Sequence, residues 1–390
     1  MNWLDLILIG AMLMAAIGGY RLGFLARATS WVGLGLGLVV ASRSLPAALR
    51  AFGGTDPTGK FFLAGGLLVA GAFIGQAVGL LAGQALRKAI PFGPARMFDR
   101  VVGAVAGLMG ILIVAWFMVP AMADVPGAFA RQARTSAIAR TLDGIGPRPP
   151  DTLEALRRLV GDTTFPRVFD SLRPAPETGP PPSSVGLSAA MVDRVSASTV
   201  KVQGVACRRI QEGSGFVVGT DLVATNAHVV AGEKSTQVQR PDGRLLNATV
   251  VVFDSDRDLA ILRVPGIGEA PLPVGSGKVG AHGAVFGHPG GQTQLRVAPA
   301  AISQRVDARG RDLYDARSTS RDVYILAAEL HPGDSGAALV DANGAVVGVA
   351  FAIAPDKPGT SYALTTKELN AALAEPRAAA VNTGPCLTHN

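Results

Sequence analysis

Cysteine, charge and clustered metal-binding side chains are all scarce in this chain of 390 residues. No group of His, Cys, Asp and Glu has the spacing of a zinc site, so a metal mechanism is not expected, and nothing points to a cofactor. Lys and Arg together exceed Asp and Glu by 36 to 29, but the surplus is spread over loops and a linker. No basic stripe interleaved with aromatics occurs, so nucleic acid is not an expected partner. The two cysteines, Cys207 and Cys386, bracket the C-terminal part of the chain. In a reducing compartment they would be two inert thiols, whereas outside the cytoplasm such a pair reads as a disulfide. That bond would close a loop of roughly 180 residues, for which chain-entropy models give about 5 kcal/mol.

Charged residues make up 17% of the chain and are sparse before about residue 122, where the long apolar runs lie. These runs raise the mean hydropathy to +0.33. Four segments stand out, Leu4–Tyr20, Ala26–Ser42, Phe61–Leu86 and Val101–Met122. Each approaches or exceeds the ~17–25 residues of a spanning helix. No basic region precedes the first, so it reads as an uncleaved span rather than a signal peptide. Gly71, Gly75, Gly79 and Gly83 recur every four residues on one face of the third, and Gly33/Gly37 and Gly103/Gly107 repeat the spacing. Small residues so placed let helices approach closely, which predicts packing rather than a transport path. Asp5 lies near a span end and is not expected to relay protons.

Lys and Arg gather after spans one and three, at Arg21, Arg27, Arg87, Lys88, Arg96 and Arg100; fewer follow span two, at Arg43, Arg50 and Lys60. The positive-inside rule then puts both chain ends outside the cytoplasm. The cysteine pair agrees with that orientation. The expected organisation is a four-span membrane domain over 1–123, with the lipid bilayer as partner, and an amphipathic helical linker over 124–172. A Pro-rich spacer over 173–188 and a last domain over 189–390 complete it. Helices are expected at Gly127–Leu142 and Thr152–Val160, and the proline density after Arg173 predicts a stiff, extended spacer. Beyond Ala189, short apolar runs separated by Gly, Asp and Pro predict an all-β sandwich or barrel pair. Thr365-Thr-Lys-Glu368 is a capping box opening a final helix, Leu369–Ala374.

Three short segments carry chemistry, Thr225-Asn-Ala-His228-Val-Val, Asp258-Leu-Ala-Ile-Leu-Arg-Val and Pro332-Gly-Asp-Ser335-Gly-Ala-Ala-Leu. A serine hydroxyl is a poor nucleophile until an imidazole takes its proton, and that imidazole needs a carboxylate to fix its tautomer. Gly333 and Gly336 permit the tight turn that aims the N–H groups of Gly333 and Ser335 at a developing oxyanion. Among the five histidines, His331 is close to Ser335 in sequence but expected to point away, and His288 reads as a turn residue. Asp254 and Asp256 sit in a polar turn, whereas Asp258 precedes a buried strand, as the orienting role requires.

With Gly213-Ser-Gly-Phe-Val-Val ahead of them, these segments resemble the chymotrypsin-like serine proteases, especially the HtrA/DegP branch, over about residues 195–375. The resemblance implies two six-stranded β-barrels and peptide-bond hydrolysis through an acyl-enzyme at His228, Asp258 and Ser335. By the same analogy, Glu329 is the candidate base of the pocket for the substrate's P1 side chain. Val349, Ala350 and Phe351 belong to the strand a substrate would pair with. Asp334 is the candidate for an ion pair that orders the oxyanion loop. HtrA proteins carry PDZ domains after the protease, whereas here the last predicted helix ends near the final residue. The four-span region resembles a colicin V production (CvpA) domain. The combination resembles the MarP family of membrane-anchored periplasmic serine proteases, which implies a part in acid and envelope-stress resistance and protein substrates in the envelope. Two other functions compete, a catalytically weak peptide-binding or chaperone-like protein and a sensor or transporter that the protease merely regulates. All three triad residues are present, and the spans hold few polar groups, which favours the protease.

Overall fold

The structure, a computed structural model, describes residues 2–52, 57–88, 93–123, 127–145, 174–206, 209–375 and 379–387. The chain forms two units, one from Met1–Met122 and Thr135–Ala155, the other from Ala123–Arg134 and Leu156–Asn390.

The first unit contains α1 (Trp3–Leu22), α2 (Phe24–Phe52), α3 (Pro57–Lys88) and α4 (Gly93–Ala123). All four are long and apolar enough to cross a membrane. Leu6, Ile7, Phe73 and Ile74 are among their exposed side chains, the inverse of a water-soluble bundle and what lipid-facing helices require. The glycine ladder sits where α2 and α3 touch: a Cβ on Gly75 would lie 2.2 Å from the Gly33 carbonyl oxygen. Gly19 and Gly103 meet as closely between α1 and α4. Gly23, at φ +81°, turns the chain from α1 into α2. There Asp99 accepts the Leu25 N–H at 3.0 Å and pairs with Arg87 at 3.0 Å.

The helix expected over Gly127–Leu142 is two, α5 (Ala128–Thr135) and α6 (Ala137–Ile145). Ser136 breaks it, because its hydroxyl accepts the Ala139 N–H and donates to Asp5. Asp5 also accepts the N–H groups of Asn2, Ala137 and Ile138, so one buried carboxylate caps α1 and α6 together. The helix expected over Thr152–Val160 lies outside the described residues.

The second unit begins its regular structure with α7 (Ala189–Ala197). A first closed barrel follows: β1 (Thr199–Ala206), β2 (Arg209–Gly219), β3 (Leu222–Thr225), β4 (Thr236–Gln239), β5 (Leu245–Asp254) and β6 (Leu259–Arg263), in the order β1-β2-β3-β6-β5-β4. One helical turn, α8 (Ala227–Val230), leaves β3. A second closed barrel runs β10-β11-β12-β9-β8-β7, from β7 (His282–Gly287), β8 (Arg296–Arg311), β9 (Ser318–Ala327), β10 (Ala338–Asp341), β11 (Val346–Ile353) and β12 (Thr360–Thr365). Closure pairs every strand of each barrel with a neighbour on both sides over part of its length. Val200, Val202, Val223 and Leu262 fill the first barrel, and Val285, Leu326, Leu339 and Val347 the second. A third cluster, including Phe216, Ile261, Phe286, Phe351 and Leu369, draws on strands of both barrels and on α9 (Thr366–Ala374).

One expectation fails for a reason of tertiary context. Thr365 is the N-cap of α9, but its side chain makes no capping bond. Glu368 does not reach back to it, because its carboxylate accepts the Asp322 N–H at 2.9 Å and pairs with Arg257 at 3.1 Å. The proline-rich spacer does not stand free over its described part. Ala175 N–H bonds Asp356, Thr178 bonds Thr360, and Val185 and Leu187 pack on the shared core.

Candidate active site

Val223 and Ala224, both buried, carry β3 inward to Thr225, and Asn226 then starts the turn of α8 that presents His228. On the neighbouring β6, Leu259–Leu262 are all buried, so the strand leads its preceding residue, Asp258, out of water. Asp258 is fully buried and left-handed, at φ +60°, a conformation a non-glycine residue holds only when its surroundings fix it. Those surroundings are specific. Asn226 Nδ2 donates to the Asp258 carbonyl at 2.8 Å, and Asp258 Oδ1 accepts the His228 backbone N–H at 2.9 Å. Asp258 Oδ2 lies 2.7 Å from His228 Nδ1. With Nδ1–H donated to the carboxylate, Nε2 is the ring atom left to accept a proton.

Asp254 and Asp256 do other work. Asp254 accepts the N–H groups of Asp256 and Arg257 in the turn, and Asp256 pairs with the exposed Arg317. A fully buried cation from the second barrel, Arg321 on β9, backs this turn by donating to the carbonyls of Asp256 at 2.6 Å and Arg311 at 2.8 Å. Burial lowers its pKa while Asp258, Asp256, Asp254 and Asp312 oppose that pull. Nothing in the sequence singles it out.

Ser335 is buried in the loop that enters β10. Its carbonyl accepts the Ser214 N–H at 2.8 Å, and the Gly336 N–H bonds the Ala350 carbonyl at 2.8 Å. The Ser335 side chain makes no hydrogen bond among the described residues. Pro332 C=O accepts the Gly290 N–H at 2.6 Å. In a trans peptide the N–H points opposite to the C=O, so the Gly333 N–H faces the other way. Neither the Gly333 nor the Ser335 N–H is committed to a partner among the described residues, leaving two adjacent donors for an anionic oxygen. Gly333 is at φ +97°, and a Cβ there would lie 2.4 Å from the His288 carbonyl oxygen, so only glycine fits.

β10 pairs with β11 only as far as Val349, and Ala350 is the last residue tied to the nucleophile loop. Beyond it β11 is paired on the β12 side alone, which leaves the edge around Phe351 for an extended chain. The Phe351 side chain itself is buried in the core. Glu329 is exposed, its carboxylate 3.9 Å from His331 Nε2. The His331 ring also lies 2.6 Å from Arg296. Among the described residues Asp334 makes no ion pair; it accepts the His331 N–H at 2.9 Å. Burial raises its pKa against that bond and the charges of Arg296 and His331. His288 is more than a turn residue, being buried, with Nδ1 3.1 Å from the Gln292 carbonyl. Burial foremost lowers its pKa, with Lys201 adding to the effect. No cysteine is free among the described residues; Cys386 lies against Gly232, four residues from His228, and Cys207 is outside them.

Residues 213–349 match the trypsin-like peptidase domain family, and residues 4–147 match the Colicin V production protein family. The chain is 33% identical over 399 aligned residues to the serine protease Rv3671c of Mycobacterium tuberculosis, covering 99% of each. It is 31% identical to the serine protease PepD of the same organism, over 54% of this chain and 48% of that one. Among solved structures, the active form of the M. tuberculosis Rv3671c protease matches with a TM-score of 0.50 at 37% identity, over 55% of this chain and 98% of that chain.

Proposed function

This chain belongs to the family of serine proteases that includes Rv3671c, a CvpA-like membrane domain joined to a trypsin-like peptidase, and from that premise we propose how its residues divide the work. His228 Nε2 takes the Ser335 hydroxyl proton as Oγ attacks the scissile carbonyl. Asp258 stays ionised, fixes the tautomer and stabilises the imidazolium. The N–H groups of Gly333 and Ser335 bind the oxyanion of the tetrahedral intermediate. His228 then protonates the leaving amine, and water hydrolyses the acyl-enzyme by the same steps. The observation that carries this reading is the pair of hydrogen bonds that one buried carboxylate accepts from the ring and the backbone of His228. A substrate strand pairs with β11 from Phe351 onward, because β10 and the nucleophile loop already occupy that edge at Val349 and Ala350. Glu329, exposed beside His331, would meet a basic P1 side chain only at the pocket's rim.

The four spans hold the protease outside the cytoplasm, where Cys207 and Cys386 pair, and where envelope proteins are the substrates. Resistance to acid and envelope stress is the role the MarP resemblance supplies. The test uses the full chain in detergent, treated with a fluorophosphonate. Wild type labels; Ser335→Ala and His228→Ala do not. Folded wild type that stays unlabelled between pH 5 and 8 would sink the assignment. An export-dependent reporter fused after Asn390 reads the orientation, and cytoplasmic activity would reverse it. Intact mass before and after reduction reads the disulfide, and an unchanged mass means free thiols.

A further inference from the structure

We propose that Ser214 is a positioning residue for the oxyanion hole, holding the backbone on both sides of Gly333 in its reactive orientation. The inference rests on the oxyanion reading of Gly333 and Ser335 above. Ser214 is fully buried on β2, in the first barrel, whereas the loop it holds belongs to the second. Three hydrogen bonds tie it to that loop and its neighbour. Its hydroxyl donates to the Gly333 carbonyl at 2.7 Å and accepts the His288 N–H at 2.8 Å. Its backbone N–H donates to the Ser335 carbonyl at 2.8 Å.

The geometry explains why such a brace is needed. Gly333 must be glycine, and glycine is the residue whose flanking peptides turn most freely. If the Pro332–Gly333 peptide rotates, the Gly333 N–H leaves the hole, and the Gly333–Asp334 peptide anchors the Cα from which that N–H is aimed. The Pro332–Gly333 peptide is held at one end by Gly290 N–H, at 2.6 Å. The Gly333–Asp334 peptide is held at both ends: Ser214 Oγ–H binds its carbonyl, and the Asp334 N–H binds the His331 carbonyl at 3.0 Å. The loop supplying Gly290 is itself tied to the first barrel. Lys201 on β1 donates to the Gly291 carbonyl and pairs with Glu212 at 2.6 Å, and Ser214 takes the His288 N–H. Among the described residues, Ser214 is thus the one side chain that touches both peptide groups bracketing the hole's support, Gly333 C=O and His288 N–H. Losing its hydroxyl strands a donor and an acceptor together, which frees the Gly333 carbonyl on one side and, through the His288 N–H, the loop whose Gly290 N–H holds the Pro332–Gly333 peptide on the other.

Removing an oxyanion donor outright costs about 10²–10³ in kcat. Removing the brace leaves the donor present but part of the time misdirected, so Ser214→Ala is expected to lower kcat about 10- to 100-fold. KM for a chromogenic peptide amide should stay within about twofold, because ground-state binding uses β11 and not the hole. A peptide aldehyde, whose adduct places an oxyanion in the hole, should bind more weakly in proportion to kcat/KM. The matching peptide carboxylate product should bind unchanged. Ser214→Cys, nearly isosteric with a weaker donor, should fall between serine and alanine, and it serves as the test if alanine fails to fold. A merely structural role would weaken aldehyde and product alike and raise KM; that pattern, or wild-type kcat in Ser214→Ala, overturns the inference. Ser335→Ala is run beside it. If Ser335→Ala still turns over, the triad reading falls; if it is dead while Ser214→Ala is normal, only the role of Ser214 falls.

Discussion

Glu233 carries a pH-dependent cost that the fold can be made to reveal. It follows α8 by three residues and is buried, with Thr236 Oγ–H donating to one carboxylate oxygen and no partner for the other among the described residues. Gly204 faces it so closely that a Cβ there would lie 2.2 Å from the carboxylate. Burial foremost, opposed by the Thr236 bond, raises its pKa from 4.5 to about 7. A group raised in the folded state holds its proton there after the unfolded chain has released it. Below pH 4.5 both states are protonated and nothing is lost; as pH rises through about 7 the folded state must ionise a buried carboxyl. The cost at full ionisation is about 3 kcal/mol. Glu233→Gln keeps an oxygen for Thr236 and cannot ionise. It should therefore stabilise the protease unit by about 3 kcal/mol near pH 8 and by almost nothing near pH 4.5. Hydrogen exchange of the slowest β1 and β4 amides, corrected for intrinsic rates and measured in a Ser335→Ala background, reads the difference without self-digestion. A variant effect that is flat with pH, or larger at acid pH, would refute the reasoning.

Three further substitutions test other parts of the structure. Asp258→Asn should lower kcat about 10⁴-fold with little change in KM, because the amide favours the wrong imidazole tautomer; steady-state kinetics on a peptide amide decides it. Arg321→Met should destabilise the protease unit by about 3 kcal/mol, since the carbonyls of Asp256 and Arg311 lose a charged donor, and unchanged protection of β6 and β9 amides would contradict this. Gly75→Leu should prevent α2 and α3 from packing, because its Cβ would already lie 2.2 Å from the Gly33 oxygen. A monodisperse detergent-solubilised variant with wild-type crosslinking between the two helices would show the contact to be dispensable.

The parts legible in sequence are those set by neighbours along the chain. Val223 and Ala224 lead β3 into α8 and so to His228, the buried run Leu259–Leu262 fixes what precedes it as Asp258, and the glycines around Ser335 announce a tight loop. The spans are legible for the same reason, since each is a local average of hydropathy. What sequence reasoning missed depends on partners remote in the chain. Glu368 has the capping-box spacing, yet Arg257 and the Asp322 N–H, 111 and 46 residues away, hold its carboxylate. Ser136 breaks a continuous amphipathic pattern because Asp5, 131 residues earlier, accepts its hydroxyl. Ser214 lies in a motif plain in the sequence, but its task appears only when Gly333, 119 residues on, is brought against it.

Each barrel holds the other's reactive residue, and this constrains how the site can fail. His228 and Asp258 belong to the first barrel, but Arg321 of the second grips the turn that delivers Asp258. Ser335 enters the second barrel, but Ser214 of the first binds its carbonyl. The apolar residues between them, Phe216, Ile261, Phe286 and Phe351 among them, belong to one continuous cluster, so the barrels cannot slide without opening voids. A displacement of about 1 Å between base and nucleophile is enough to cost about 10² in rate. Any relative movement of the barrels therefore shifts the carboxylate support and the nucleophile loop together. A substitution in that cluster, far from any reacting atom, should lower kcat through both at once, and its effect should be less than additive with Ser214→Ala.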